Sequence, residues 1–309
     1  MTKEQLERDS GVTRSQLSLA REYFKASADM LCPPIFRAAY SDRMAWILAS
    51  MAQLAYDRFE DNPDVRTLFI AKLKSGGFEL IRTFYSQGTD TQGFLARNSE
   101  FAVLAFRGTE VTKRQDVITD IKASKISVLQ GRVHGGFVNA YKSVAPDIRR
   151  SLLELKGVPL YITGHSLGAA LATIATHNLE HTDDYPQFRQ IIAACYTFGS
   201  PRVGNSRYDF RAPIYRVVNT TDVVTAIPFL AMGYMHLGDV RFLGAKEGEF
   251  QRGIPVLRRL YLFLLTALKF FGPLVKDHGI DQYRRKLQVI AQERNDPETI
   301  RRKHLNLVR

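Results

Sequence analysis

Cysteine is scarce: the 309-residue chain has two, Cys32 and Cys195. Two can close at most one bridge, which excludes a disulfide framework. Cys195 falls in the apolar run 191–196, where a cysteine is expected to be buried as a small hydrophobe. No grouping of cysteine, histidine and carboxylates has the spacing of a metal site, and no cofactor is implied. There is no internal repeat or low-complexity tract, which excludes a repeat array. No apolar run reaches the roughly 20 residues that cross a bilayer. Residues 1–16 are polar and lack the apolar stretch of a signal peptide, so a cytoplasmic protein, or one exported without a cleaved leader, is expected. Basic residues carry no interleaved aromatic stripe, so no nucleic-acid partner is expected.

What is present is an ordinary globular balance, 45% hydrophobic and 24% charged residues, which excludes disorder of the whole chain. The length suits one large core. The expected organisation is a single domain over 1–309, with an N-terminal extension over 1–40 and an apolar segment over 254–275. The net charge of +12 favours approach to anionic surfaces such as phospholipid. The alternative reading of that charge is a solvated basic surface, the basic residues being scattered apart from short runs such as Arg284-Arg285-Lys286 and Arg301-Arg302-Lys303.

Hydrophobic periodicity sets the elements. Met44, Ile47, Leu48, Met51, Leu54 and Ala55 fall on one helical face, with Ser41 or Asp42 placed to cap it. Residues 68–73 and 78–85 look like strands of a hairpin around Gly76-Gly77. Residues 94–97 and 101–106 read as strands, the second apolar on both faces like a central one. A helix is expected over 136–155, a strand over 158–162, a helix over 167–179, and strands over 191–198 and 214–218. This alternation predicts a mostly parallel sheet with helices on both faces.

The chemistry begins at Gly164-His165-Ser166-Leu167-Gly168. The pattern G-x-S-x-G is short, but here a strand leads in and a helix leads out, the context it requires. A nucleophilic serine in this setting projects from a tight turn at the carboxyl end of a sheet. Glycines on either side leave room for that turn. Ser166 then sits at a helix N-terminus, where backbone N–H groups favour negative charge. The N–H of Leu167 is placed to donate to the oxyanion of acyl transfer, a donor worth roughly 3 kcal/mol of barrier.

This stretch resembles the class 3, or fungal-type, triacylglycerol lipases. Other segments agree in order: Phe106-Arg107-Gly108-Thr109, His134-Gly135-Gly136-Phe137, and Phe198 to Asn205 (FGSPRVGN). The resemblance covers roughly residues 95–290 and implies an α/β-hydrolase fold.

A serine hydroxyl needs a histidine base and an acid to orient it, following in the order Ser, Asp or Glu, His. Asp222 follows the strand 214–218 and sits at its carboxyl end; the segment from Asn219 to Pro228 resembles the family's V-N-x-x-D-x-V-x-x-x-P. Asp209 precedes that strand and lies at the wrong end. Among His236, His278 and His304, the resemblance favours His278, in Asp277-His278-Gly279-Ile280-Asp281-Gln282-Tyr283, similar to the family's D-H-x-x-Y element. His165 and His134 are expected to pack or support. The resemblance assigns Thr109 as a second oxyanion donor beside Leu167.

The resemblance implies a carboxylic ester substrate: an acylglycerol or related lipid, or a small ester. A phospholipid or a short-chain ester is an alternative, as is a silent relative that binds lipid or a partner. Two segments are candidate covers of the site: the rather polar 110–120, which follows Thr109, and the apolar 260–268. The second reads first as a buried core helix, and beside that reading stands the hypothesis that it lines or covers the acyl site or meets a lipid surface.

Overall fold

A computed structural model of the chain describes residues 11–25, 39–60, 62–108, 125–128, 131–155, 157–183, 188–205, 210–220, 222–227, 233–255 and 277–295. Its centre is an eight-stranded sheet in the order β1-β2-β3-β6-β7-β8-β9-β10. These strands are β1 (Glu79–Ser86), β2 (Thr91–Arg97), β3 (Ala102–Phe106), β6 (Leu160–His165), β7 (Ile192–Phe198), β8 (Ile214–Asn219), β9 (Asp239–Leu243) and β10 (Phe250–Arg252). Neighbours from β3 to β9 run parallel, and the flanking pairs β1–β2, β2–β3 and β9–β10 are antiparallel. The expected mostly parallel sheet is present. A separate two-stranded ribbon, β4 (Lys125–Val128) and β5 (Gly131–His134), lies between β3 and β6 in the chain.

The central strands are apolar on both faces because both faces are covered. Val103 and Ala105 of β3, Tyr161 of β6, Tyr196 and Phe198 of β7 and Val217 of β8 join one core cluster. Their alternates Leu104, Phe106, Ile162, Cys195 and Ile214 join the other. The first face is covered by α2 (Asp42–Leu54), on which α8 (Ile280–Asn295) packs. The second is covered by α4 (Gly135–Lys142), α5 (Ala145–Leu153) and α6 (Leu167–Glu180). Cys195 is buried as expected, and its surroundings push the thiol up to about 12.

Two expectations are corrected. Residues 68–73 belong to a helix, α3 (Pro63–Ser75), and not to a strand. The helix signals outweigh the short apolar run: Asn62 caps the amides of Asp64 and Val65, Pro63 opens the first turn, and Lys72 and Lys74 close the last. Gly76 therefore stops a helix, its N–H reaching Leu73 O at 3.0 Å. The real hairpin joins β1 to β2. The span 136–155 is two helices, with Pro146 in the first turn of the second, where a missing amide hydrogen costs nothing. Within residues 1–40, α1 (Arg14–Arg21) buries Leu17 and Ala20, and Phe24 meets Trp46 edge-on at 5.9 Å. Ser41, the nearer of the two candidates, caps α2 by accepting from Met44 N.

Candidate active site

Strand β6 enters the core and turns directly into α6, and Ser166 is the residue between them. Its backbone has φ 57° and ψ −125°, a conformation that L residues rarely hold. The neighbouring glycines make the turn possible. A Cβ on Gly164 would strike the carbonyl of Gly168, and one on Gly168 would strike that of Phe106. Backbone passes backbone here with no space for a methyl group. Gly108, at the end of β3, is equally confined, by Tyr56, by the carbonyl of His165 and by Cβ of Ser166.

Ser166 Oγ lies 2.8 Å from Nε2 of His278, and Nδ1 of His278 lies 2.8 Å from Oδ2 of Asp222. All three side chains are buried, and His278 and Asp222 are wholly so. A carboxylate accepts, so His278 Nδ1 carries a proton, and Nε2 of the neutral ring accepts from the serine hydroxyl.

Each member is held from behind. Asp222 sits just after β8 and caps the 3₁₀ turn Val223–Ala226, its Oδ1 accepting from Val224 N at 3.0 Å. Its Oδ2 takes a further hydrogen bond from Tyr283 Oη at 2.5 Å. Burial and the nearby Asp222 charge raise Tyr283 well above the usual phenol range, which keeps it a donor. Gly199, with φ +57°, lies against this pair; a Cβ there would come within 2.7 Å of Asp222 Oδ2 and 2.9 Å of His278 Nδ1.

His278 precedes α8 and is fixed through its own carbonyl, which accepts from Nε2 of His165 at 2.6 Å. Nδ1 of that neutral ring then accepts from Tyr56 Oη at 2.8 Å. His165 is therefore in contact with His278 through the latter's backbone.

The structure brings Ser166, His278, Asp222 and Leu167 together. Leu167 opens α6, in the turn whose N–H groups have no carbonyl acceptor within the helix. Thr109, the candidate cover 110–120, the apolar stretch 260–268, Asp209, Pro228 and His304 lie outside the described residues. His134 closes β5 and stacks on Phe137 at 4.3 Å. His236 lines a small cavity with Thr197, Ser200 and Arg216. Among the described residues no group of side chains is arranged to hold a metal, and no helix is long and apolar enough to cross a membrane.

Tyr56, Asn219, Tyr283 and Lys286 surround this arrangement, and the sequence assigns a role to none of them. A signal existed for Lys286: Tyr283, Lys286, Leu287 and Ile290 share the buried stripe of α8, so this lysine interrupts an apolar face. Within the basic run 284–286, Lys286 is buried. Arg284 also folds inward, bonding Ser50 Oγ and Tyr23 O and lying 4.2 Å over the Tyr23 ring.

Comparison with known proteins gives the same picture from a different direction. The family model for class 3 lipases matches residues 103–232. A lipase of Rhizopus niveus is 33% identical over 174 residues, 52% of this chain and 43% of that protein. The secreted mono- and diacylglycerol lipase A of Penicillium cyclopium is 33% identical over 160 residues, covering 48% of this chain and 50% of its own. The chain thus spans about half the length of the curated relatives it matches. In three dimensions it is similar to a solved triacylglycerol lipase whose catalytic centre is a serine-protease triad, with a TM-score of 0.56, 24% identity, and coverage of 68% of this chain and 83% of that one. That likeness gives the α/β-hydrolase fold. Over residues 103–232, which hold the nucleophile turn and the flanking motifs in order, the chain is similar to the class 3 lipases.

Proposed function

We propose that the protein is a serine ester hydrolase, a lipase that cleaves acylglycerols or related lipids through an acyl-serine intermediate. The observation that carries this reading is the directed hydrogen-bond chain from Ser166 through His278 to Asp222, set on a strained strand-to-helix turn. In the proposed reaction Ser166 Oγ attacks the ester carbonyl while His278 Nε2 takes its proton. The C–O double bond becomes an oxyanion facing Leu167 N–H, with Thr109 as the proposed second donor. Collapse expels the alcohol, which receives the proton from His278. Water, deprotonated by the same ring, then releases the acid. Asp222 steadies the imidazolium in both halves.

The relatives' names point to acylglycerol substrates. The net charge of +12 gives one specific reason to test anionic phospholipid as a second substrate and as the surface the protein visits. The test is hydrolysis of an ester series from short to long acyl chains, and of phosphatidylglycerol vesicles, with Ser166→Ala as control. Long-chain cleavage that vanishes in the control is the expected result. Cleavage confined to short soluble esters makes the protein a carboxylesterase. No difference between the two proteins removes the hydrolase reading and leaves lipid or partner binding.

A further inference from the structure

The polypeptide around the proposed base is clamped from two sides. The carbonyl of His278 is taken by His165. The carbonyl of the preceding residue, Asp277, accepts from Asn219 Nδ2 at 2.8 Å. An amide that donates through Nδ2 must present Oδ1 on its other side, and there it accepts from Lys286 Nζ at 2.8 Å. Lys286 is 5% exposed, and its second bond, at 2.6 Å, goes to the carbonyl of Gly244, just beyond β9. The lysine thus ties α8 to the β9 end of the sheet and fixes which way the Asn219 amide faces. Asn219 is the last residue of β8, three before Asp222, and its own N–H donates to Tyr283 Oη, the hydroxyl that bonds Asp222.

An ammonium at this depth is costly to desolvate, and burial lowers the Lys286 pKa against the opposing attraction of Asp277. An apolar residue would fill the stripe of α8 without that cost. What it would not do is hold the Asn219 amide.

We propose that Lys286 and Asn219 are positioning residues: Lys286 orients the Asn219 amide, and Asn219 holds the Asp277 carbonyl so that His278 meets Ser166 and Asp222 together. Neither side chain touches the reacting atoms. The inference rests on the ester-hydrolase reading above and deepens it.

The test uses the full chain and p-nitrophenyl butyrate, with KM and kcat measured separately. Lys286→Met keeps the stem and removes the donor; Asn219→Ala removes the relay. Each is expected to lower kcat about tenfold or more, with KM held within twofold, because the base is displaced and not the substrate. The double variant is expected to lose no more than the worse single variant, since both changes break one relay. Asn219→Asp, nearly isosteric and still an acceptor for Lys286, guards against a folding defect. It removes only the donor to Asp277, and it is expected to lose kcat while remaining folded by circular dichroism. A kcat within twofold of wild type in folded Asn219→Asp and Lys286→Met overturns the inference. So does a loss carried by KM, or losses that multiply in the double variant. Failure of the underlying reading looks different: hydrolysis would survive in Ser166→Ala.

Discussion

Replacing Gly199 by alanine tests the proposed base and acid without touching either. Gly199 follows β7 and has φ +57°, and its missing Cβ faces Asp222 Oδ2 at 2.7 Å and the His278 ring at 2.9 Å. Ordinary contacts of this kind lie near 3.5 Å, so the ring must retreat by roughly 0.6 Å and the carboxylate by roughly 0.8 Å. Neither has slack. The ring is bonded at both nitrogens and the carboxylate accepts at both oxygens. Misplacement on the order of 1 Å costs about a hundredfold in rate, so Gly199→Ala is expected to lower kcat about 10- to 100-fold with KM little changed. The left-handed backbone adds a stability cost of about 1–2 kcal/mol. Gly157→Ala is the control. It has φ +74° and nothing within 4 Å of its Cβ position, so it bears a similar backbone cost without a clash. It should lose stability and keep full activity. The assay is hydrolysis of a soluble short ester beside urea unfolding of both variants. A Gly199→Ala enzyme within threefold of wild type would refute the reasoning, because it would mean that His278 and Asp222 can shift without consequence.

Other expectations follow from the same geometry. Ser166→Gly and Ser166→Ala should both be inactive, and the glycine variant should be more stable in urea by about 1 kcal/mol, since glycine adopts the φ of 57° without strain; equal stability would mean that the turn stores none. Gly168→Ala should lower the unfolding free energy by about 1–3 kcal/mol, because the added methyl meets backbone of Phe106 and Arg107 that cannot step aside. Stability should also fall as pH drops below about 6.5. Burial and the charges of Arg216 and Arg202 hold His236 well below that value in the folded chain, and burial lowers His134. The unfolded chain therefore binds more protons in this window, and acid favours unfolding. Substitution of His236 by Gln should flatten urea-unfolding free energies between pH 6.5 and 5, and an unchanged slope would assign the effect elsewhere.

The parts of this molecule that were legible in sequence are those whose chemistry imposes a local pattern. A nucleophile on a turn too tight for side chains requires glycine two positions before and two after Ser166, and strand and helix on either side announce themselves by their apolar runs. Asp222 could be placed because a strand precedes it, and His278 because the surrounding segment resembles a known one. The hairpin at Gly76-Gly77 failed for the opposite reason. Its apolar run is short enough to suit either period, and the deciding signals, the Asn62 cap and Pro63, lie N-terminal to that run.

The supports of the base were harder still, because each joins residues far apart in the chain. Tyr56 reaches His165 across 109 positions, Asn219 reaches Asp277 across 58, and Lys286 reaches Asn219 across 67. No local spacing records such a pairing. What sequence does record is the anomaly each leaves behind. Lys286 sits where the stripe of α8 asks for an apolar side chain, and His165 is a polar residue at the end of a strand buried throughout. A buried polar residue must be paired. In a chain whose nucleophile turn is already recognised, a charge on the core face of the helix that follows the base points to the partner that holds it.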